Sequence, residues 1–293
     1  MPELAELETA RRLVEEHCAG KRITEVTTTV QRASDELNGR PDPIVYVCDP
    51  VEFEKALVGR VLERACRKGK QMWWQLGGPG KHPGLHFGMT GGIAVRGVSG
   101  PRYKRYGVDA TEWPPRFTRL EVGFGDGTRL AFVNSRRIGR IRLLDDPEHE
   151  PPVSLLGFDP FTSPPNAATF RGLLQARRGP IKAVLLDQSF SAGVGNWIAD
   201  EVCYQARVHP ARPVATMSDD VIERVRAALT DIVKTACEAR ADHSLFPKDW
   251  LFHPVGPSAL VARGSRDTGP SVWRTRAQFQ VRPAPSKPRD LAR

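Results

Sequence analysis

Apolar residues at the start of the chain recur with the period of a helix. They fall on one face of a helix with 3.6 residues per turn and are followed by Gly20, a stop signal. These positions are Leu4, Leu7, Ala10, Leu13 and Val14. The pattern predicts an amphipathic helix over residues 4–18, which attaches the first residues of the chain to a rigid element.

Between residues 23 and 143 the pattern changes to short β-rich runs separated by Gly, Pro and Asp turns. The clearest runs are Ile23–Val30, Gln71–Leu76, Gly92–Val95, Arg119–Phe124 and Arg129–Val133. Short strands with frequent turns favour an antiparallel sandwich or barrel. We therefore expect residues 1–145 to form an N-terminal antiparallel β-sandwich domain that carries the first helix.

A proline-rich, acidic segment at 146–166 is typical of an interdomain linker with little regular structure. Helical periodicity returns in residues 167–240, where the last helix follows Ser218 as its predicted N-cap. A chain of 293 residues exceeds the usual size of a single core, so two main domains are expected. The predicted fold class is multi-domain α+β.

The last fifty residues have weak periodicity. Trp250–Phe252, Ala259–Ala262 and Val272–Arg276 are candidate short strands, which suggests a small hairpin within 241–280. Residues 281–293 have the composition of a disordered tail.

Basic residues exceed acidic ones, 43 against 34, for a formal net charge of +9. Eight basic and two acidic residues fall within 251–293, and a second cluster comprises Arg136, Arg137, Arg140 and Arg142. A merely basic protein is one explanation, but this local density favours nucleic acid over a membrane or an acidic protein as the partner.

Several classes of protein are disfavoured. No stretch approaches the roughly 18 apolar residues of a membrane-spanning helix, and Glu3, Glu6 and Glu8 occupy the place of a signal peptide's basic and apolar residues. The five cysteines include no C-x-x-C pair, which argues against a disulfide framework and a cysteine-rich zinc site. We expect a soluble protein of a reducing compartment whose N-terminus is that of the mature chain.

The residues Met1-Pro2-Glu3 offer a candidate nucleophile. Removal of Met1 before a small residue leaves Pro2 with a secondary amine, and an α-amine has a pKa of about 8, against about 10.4 for lysine. Such an amine can form an iminium with a sugar carbon, and Glu3 and Glu6 can move protons. By itself this tripeptide is more often an ordinary N-terminus with solvated carboxylates.

The turn Ser191–Asn196 precedes a predicted helix at Trp197–Arg207 and contains two glycines. Its backbone amides and the helix N-terminus could bind a phosphate. A plain packing joint between two helices explains the same residues equally well.

Several motifs occur together in the order of one known family. They are Met1-Pro2-Glu3-Leu4, Lys70, His86-x-Gly88-Met89-Thr90-Gly91, Arg136-Arg137 and Gly193-Val194-Gly195-Asn196. The chain resembles formamidopyrimidine-DNA glycosylase, and it is most similar to the plant and fungal branch through Ile181–Gln188 and Gly195–Pro210. The resemblance covers residues 1–253, and 254–280 loosely.

The resemblance implies a catalytic β-sandwich domain, a helix–two-turns–helix domain at 167–240 and a β-hairpin finger at 241–280, with damaged double-stranded DNA bent into the cleft between them. It implies a bifunctional glycosylase and AP lyase that excises oxidised purines. Pro2 would form the Schiff base, Glu3 would donate a proton, and Lys70 would hold a phosphate and assist the first of the β- and δ-eliminations.

The same resemblance assigns further site residues. Met89, Arg136 and Ile138 match the wedge that fills the void left by an extruded base. Ile138 stands where the family usually has Phe, so it offers a smaller apolar surface. His86, Arg178 and Asn196 match positions that contact DNA, Arg137 adds charge beside the wedge, and Glu201 matches a supporting carboxylate. Glu6, one helical turn from Glu3, is a second supporting carboxylate by its position.

Departures from the family concentrate in the finger. Residues 241–293 contain no cysteine, so we expect a zincless finger, no zinc and no other cofactor. The usual finger arginine aligns with Pro270, which leaves Arg274 and Arg276 as candidates.

The stretch before Trp250 is short and leaves little room for the loop that caps 8-oxoguanine in many bacterial members of the family. We therefore expect formamidopyrimidines and further-oxidised guanines to be preferred over 8-oxoguanine. At the first helix, Ala5 and Leu7 replace Pro and Val.

Two other functions remain open at this point. Ala5, Ile138 and Pro270 are compatible with a damaged-DNA-binding protein of the same fold that has lost catalysis. A nucleotide-binding enzyme built on Gly193–Asn196 would lack the lysine and the strand of a P-loop. For the glycosylase we expect a monomer without membrane association, located in the cytoplasm or nucleoid, or in the nucleus of a eukaryote.

Overall fold

The computed structural model describes residues 2–28, 41–100, 108 and 112–253. The first helix, α1 (Leu4–Cys18), has the predicted bounds. Glu3 is its N-cap, and the Glu6 side chain accepts a hydrogen bond from the Glu3 backbone amide at 3.0 Å. This bond satisfies a donor that a helix start leaves without a partner.

Eight antiparallel strands follow among the described residues, in the order β5-β7-β6-β1-β2-β3-β4-β8 across the sheet. They are β1 (Lys21–Thr27), β2 (Val61–Lys68), β3 (Gln71–Leu76), β4 (His82–His86), β5 (Gly91–Val95), β6 (Thr118–Phe124), β7 (Arg129–Asn134) and β8 (Arg140–Leu144). Strand β1 joins the two halves, pairing with β2 on one side and β6 on the other. Both halves pack their apolar residues on one common core. The predicted antiparallel domain is confirmed.

One helix in this region differs from the all-β expectation. Helix α2 (Pro50–Leu57) begins after Asp49, whose carboxylate accepts from the amides of Val51 and Glu52. Proline at the first helical position and buried Phe53 and Leu57 complete a standard helix pattern. The sequence carried this signal, but the run is only eight residues long and lies among strands.

The strand register brings several loops to one end of the sheet. Gln71 at the start of β3 pairs with His86 at the end of β4, and His86 pairs with Arg140 at the start of β8. On the other half, Gly91 at the start of β5 pairs with Asn134 at the end of β7. The β2–β3 turn, the β4–β5 loop and the β7–β8 loop therefore share this end.

The segment after β8 contains a single short 3-10 turn, Val153–Leu155, before the helical region begins. Up to residue 253, the last that the structure describes, four α-helices follow: α3 (Ala167–Gln175), α4 (Ile181–Leu186), α5 (Asn196–Gln205) and α6 (Asp219–Glu238). They share one apolar core, and Ser218 is the N-cap of α6 as predicted. None of the helices in the described residues is long and apolar enough to cross a membrane.

Helix α1 belongs to both cores. Leu4 and Ala5 are buried among the residues of the helical core, whereas Leu7, Ala10 and Val14 are buried in the core of the sheet domain. The N-terminus of α1 is therefore fixed at the junction of the two domains.

The prediction of a strand at Trp250–Phe252 is wrong, because these residues form turns and bends. Two aromatic rings of this segment pack around Trp197, whose ring centroid lies 5.1 Å from that of Phe252 and 6.5 Å from that of Trp250. Aromatic packing against α5 thus replaces strand pairing. The candidate strands Ala259–Ala262 and Val272–Arg276 lie outside the described residues.

Candidate active site at the domain junction

The carboxyl group of Glu3 lies at the N-terminus of α5. Its Oε2 accepts hydrogen bonds from the backbone amides of Gly195 at 2.9 Å and Ile198 at 3.2 Å, and its Oε1 accepts from the amide of Trp197 at 3.0 Å. Glu3 is 2% exposed. A side chain that begins α1 therefore caps the first turn of a helix in the other domain.

These bonds correct the interpretation of the Ser191–Asn196 turn. The amides of Gly195, Trp197 and Ile198 bind a carboxylate of the protein itself, so the prediction of an open phosphate cradle is wrong for these amides. The side chain of Asn196 is exposed at the first position of α5. It is the part of this turn that faces outward.

The β2–β3 turn packs directly against the same loop. Gly69 has a φ of +56°, and a Cβ atom there would lie 2.7 Å from the backbone nitrogen of Gly193. Gly193 has a φ of +93°, and its carbonyl accepts a hydrogen bond from the amide of Leu4 at 3.1 Å. Because both positions combine positive φ with close backbone contact, glycine is required at each.

Lys70 completes this junction. Its Nζ donates a hydrogen bond to the carbonyl of Val194 at 2.7 Å. Burial lowers the pKa of Lys70, and the charges of Glu3 and Glu6 partly oppose this shift. Burial raises the pKa of Glu3 to about 7, although Lys70 and the α5 amides act in the opposite direction. Glu3 is a carboxyl group that titrates near neutral pH, and Lys70 is an amine whose pKa is lowered. Such a pair is suited to proton transfer.

Sequence reasoning did not assign Gln188, which fixes the loop between Glu3 and Lys70. Its Oε1 accepts from the amide of Gly193 at 3.0 Å, and its Nε2 donates to the carbonyl of Val194 at 2.8 Å. The Val194 carbonyl therefore accepts hydrogen bonds from the side chains of both Gln188 and Lys70. The motif around Gln188 was noticed in the sequence, but its side-chain contacts depend on the folded loop.

A buried ionic network supports the Gly69–Lys70 turn. The guanidinium of Arg67 pairs with Glu8 at 3.0 Å and with Asp159 at 2.5 Å, and Asp159 also accepts from the Gly69 amide at 2.8 Å. All three ionic side chains are at most 4% exposed. The network joins α1, β2 and the interdomain segment beneath the turn.

The β4–β5 and β7–β8 loops are held together by Asn134, which is fully buried. Its Nδ2 donates to the carbonyl of Phe87 at 2.9 Å, and its Oδ1 accepts from the amide of Gly139 at 3.1 Å. A Cβ atom at Gly88 would lie 2.7 Å from the carbonyl oxygen of Ile138. The two loops therefore form a single rigid tip.

This tip carries the three predicted wedge residues. Met89 is 39% exposed and Ile138 is 38% exposed, so both apolar side chains reach the surface at this tip. Arg136 is also exposed, and its backbone amide donates to the hydroxyl of Thr90 at 3.2 Å. Residues from two distant parts of the sequence thus form one projecting, partly apolar surface.

His86 lies at the end of β4, next to this tip. Burial, together with the charges of Arg142, Lys70 and Arg140, lowers its pKa to about 4. Its Nδ1 faces the amide of Gly88 at 3.3 Å as an acceptor. His86 is therefore neutral at pH 7 with its proton on Nε2, a donor suited to a phosphate oxygen.

Comparisons with known proteins agree with this architecture. The family model of the formamidopyrimidine-DNA glycosylase N-terminal domain matches residues 1–141, and that of the formamidopyrimidine-DNA glycosylase H2TH domain matches residues 156–247. A formamidopyrimidine-DNA glycosylase of Symbiobacterium thermophilum is 30% identical over 245 residues, which are 82% of this chain and 71% of that protein. The chain belongs to the formamidopyrimidine-DNA glycosylase family.

Two further relatives extend the comparison. The formamidopyrimidine-DNA glycosylase of Arabidopsis thaliana is 38% identical over 254 residues, or 86% of this chain, which spans 62% of the Arabidopsis protein's length. A crystal structure of Lactococcus lactis formamidopyrimidine-DNA glycosylase, non-covalently bound to DNA with an AP site, has a TM-score of 0.65 and 23% identity, covering 81% of this chain and 82% of its own. The fold is therefore that of the formamidopyrimidine-DNA glycosylases.

The two supporting carboxylates predicted for this family member occupy different places. Glu6 lies beside Glu3 and binds its backbone amide. Glu201 is buried on α5, where its oxygens accept from the amides of Leu251 and Phe252 at 3.1 and 3.0 Å and from Gln205 at 2.8 Å. Glu201 thus fixes two residues within the first part of the predicted finger, 241–280.

Arg137 differs from the expectation that it adds charge beside the wedge. Its Nε donates to Oδ2 of the buried Asp42 at 2.7 Å, and its Nη2 donates to Oδ1 at 3.1 Å. The carboxylate compensates the guanidinium charge within the protein. A DNA contact of Arg137 stays a prediction, but its primary interaction is structural.

The other residues predicted to contact DNA are Arg178 and the finger arginines. Arg178 is exposed on the loop between α3 and α4, where it donates to the carbonyls of Gln175 and Arg177. The finger candidates Arg274 and Arg276, like Pro270, lie outside the described residues.

Proposed function

We propose that this family member is a bifunctional DNA glycosylase and AP lyase of base-excision repair that removes oxidised purines from double-stranded DNA. The observation that carries the proposal is the convergence of Glu3, Lys70 and the α5 N-terminus at the domain junction. Family membership supports the glycosylase activity, and the DNA-bound Lactococcus relative supports DNA as the partner.

Pro2 is the proposed nucleophile. Once Met1 is removed, the lone pair of the Pro2 amine forms a bond to C1′ of the damaged nucleotide while the bond from C1′ to the base breaks. The departing base takes the electron pair of that bond and the proton of the amine. The sugar ring then opens, its oxygen takes a proton from Glu3, and an iminium joins Pro2 to C1′. Pro2 is buried directly beside Glu3 in the chain.

Glu3 is the proposed proton donor. Its pKa of about 7 leaves a substantial protonated fraction at cellular pH, as a general acid requires. The capping bonds from α5 and the bond between Glu6 and the Glu3 amide hold the carboxyl group in place. Glu6 is therefore assigned a positioning role.

Lys70 is proposed to assist strand cleavage. From the iminium, loss of a proton from C2′ breaks the bond from C3′ to its phosphate oxygen, and the 3′ phosphate leaves with the electron pair of that bond. Loss of a proton from C4′ then breaks the bond from C5′ to its phosphate oxygen, and the 5′ phosphate leaves in the same way. Burial lowers the pKa of Lys70, so that its neutral form is more available to accept a proton. Its ammonium form can hold the phosphate beside the lesion.

Extrusion of the damaged nucleotide costs a few kcal/mol of lost stacking and pairing. We assign compensation of this cost to Met89, Arg136 and Ile138, whose side chains are exposed at one tip. His86, Arg178 and Asn196 are proposed to contact the DNA backbone.

The proposed chemistry uses the chain's own residues without a cofactor. Within the described residues, no group of three or more His, Cys, Asp or Glu side chains could hold a metal ion. The zincless finger remains a prediction, because residues 254–293 are not described. We propose that the enzyme acts as a monomer, in the cytoplasm or nucleoid, or in a nucleus.

The decisive assay uses duplexes that contain a formamidopyrimidine, a further-oxidised guanine, 8-oxoguanine or no lesion. We expect base release and strand cleavage with the first two substrates, slower reaction with 8-oxoguanine, and a loss of about 10²–10⁴-fold in Glu3→Gln. Glu63→Gln, which changes an exposed carboxylate, is the matched control.

Each other outcome has a distinct meaning. Selective binding of damaged duplexes without base release would instead identify a damaged-DNA-binding protein. Equal or faster excision of 8-oxoguanine would overturn the lesion preference alone.

A further inference from the structure

Two arginines of the basic cluster, Arg140 and Arg142, have no part in the proposed function. They are two residues apart on β8, so their side chains lie on the same face of the sheet. Ile141 between them is buried in the core, which places both arginines on the outer face. Arg140 pairs with His86 across the strands, and Arg142 pairs with Gly84.

Gly84 is flanked by Arg142 and Leu144 on the outer face. A Cβ atom at Gly84 would lie 3.8 Å from Cβ of Arg142 and 2.6 Å from a methyl carbon of Leu144. On the other side, Gly84 pairs with Trp73, which is 6% exposed. The Leu144 side chain therefore covers Gly84, and Trp73 lies on the far side of Gly84 from Arg142.

Neither arginine is compensated by a carboxylate in the described part of the chain. Arg140 donates to the carbonyl of Gly139 at 2.7 Å, whereas the half-buried Arg142 has no hydrogen-bond acceptor among the described residues. Arg67 and Arg137, by contrast, are each paired with buried carboxylates. A half-buried cation without a counter-charge is costly in the free protein.

The electrostatics of this face point to an anionic ligand. Burial, followed by the charge of Arg140, lowers the pKa of Arg142. Arg142, Lys70 and Arg140 also act on the ring of His86. These groups disfavour one another's positive charge, and a bound anion would relieve that repulsion.

We propose that Arg140 and Arg142, together with His86, form a track for backbone phosphates that extends the DNA-binding surface from Lys70 along β8. The two arginine positions are about 7 Å apart along the strand, close to the separation of successive phosphates on one DNA strand. The identity of the polyanion rests on the proposed function. The track itself rests on the register, burial and missing counter-charges of β8.

The test measures the dissociation constant of a tetrahydrofuran-containing duplex at several salt concentrations. We plot the logarithm of this dissociation constant against the logarithm of the salt concentration. Arg140→Gln and Arg142→Gln should each make the slope of this plot smaller by about one, and the double variant by about two. We expect the double variant to bind at least tenfold more weakly at low salt. Arg224→Gln is the control, since Arg224 is an exposed arginine paired with Asp220.

Arg142→Lys keeps the positive charge at position 142 and so separates the effect of charge from an effect on folding. It should keep the wild-type slope, whereas Arg142→Gln should have a smaller slope. Wild-type slopes in both glutamine variants, in a protein that excises lesions, would overturn the track alone. Reduced slopes in a protein that never excises a lesion would support the track and contradict the proposed function.

Discussion

The guanidinium of Arg137 binds the buried carboxylate of Asp42 through two parallel hydrogen bonds, of 2.7 and 3.1 Å. Arg137 has a φ of +55°, an unfavourable conformation for a residue with a side chain. The ion pair offsets this cost and fixes the loop on which Arg136 and Ile138 project. Asp42 therefore orders the proposed wedge from a different part of the sequence.

Asp42→Asn should loosen this loop. The substitution removes the charge that pairs with Arg137, and we expect binding of a lesion duplex to weaken about tenfold, or about 1.4 kcal/mol. Binding of undamaged duplex should change less, because the wedge is used when a base is extruded. Fluorescence anisotropy with both duplexes measures the effect. Asp126→Asn, which affects an exposed pair with Lys21, is the control, and equal losses on both duplexes would contradict the assignment.

The pKa of Glu3 predicts how the rate of base excision falls at alkaline pH. Because its carboxyl group must be protonated to act as an acid, kcat/KM for base excision should fall about tenfold per pH unit above about pH 7. Glu3→Gln should retain little activity and lose this fall at alkaline pH. A wild-type profile that stays flat from pH 6 to 9 would exclude Glu3 as the proton donor.

The same group predicts a pH-dependent stability. Glu3 titrates at about 7 in the folded protein and near 4.5 ordinarily, so the folded state binds an extra proton between these values. Wild-type stability should therefore decrease as pH rises from 4.5 to 7. When the pH is lowered from 8 to 5, the free energy of unfolding of the wild type should rise by roughly 1–3 kcal/mol relative to that of Glu3→Gln. The difference in Tm between the two proteins measures this change. A constant difference would contradict the raised pKa.

Asp159→Ala should destabilise the protein strongly. It leaves the buried guanidinium of Arg67 with one carboxylate, that of Glu8, and removes an acceptor from the Gly69 amide. Loss of one partner of a buried pair costs about 3–5 kcal/mol, which thermal unfolding will register as a large fall in Tm. Asp187→Ala, at a more exposed pair with Arg177, should cost about 1 kcal/mol or less. Similar Tm values for the two variants would show that the network is dispensable.

Local patterns in the sequence predicted much of the fold. The helix at residues 4–18 and the strand at Gln71–Leu76 have strong periodicity, and both have the predicted bounds. Helix α2 was missed because eight residues give a weak periodic signal. The aromatic residues Trp250–Phe252 resemble a strand, but their rings pack on Trp197 and no strand forms.

The site was less predictable than the fold. The order of motifs pointed to Glu3 and Lys70, and the structure brings them to one junction. Gln188, Asp42 and Asp159 were not identified, because the roles of these polar side chains depend on partners far away in the sequence. Local sequence gives no sign of such pairings.

The central claim is that the Pro2 amine becomes covalently attached to damaged DNA. Borohydride should reduce the iminium and trap wild-type protein on a strand that contains an AP site, whereas Pro2→Gly should be trapped more slowly through its primary amine. Mass spectrometry of the trapped peptide should place the sugar on residue 2 of a chain that lacks Met1. Trapping at another residue, or efficient strand cleavage by protein that retains Met1, would contradict the account.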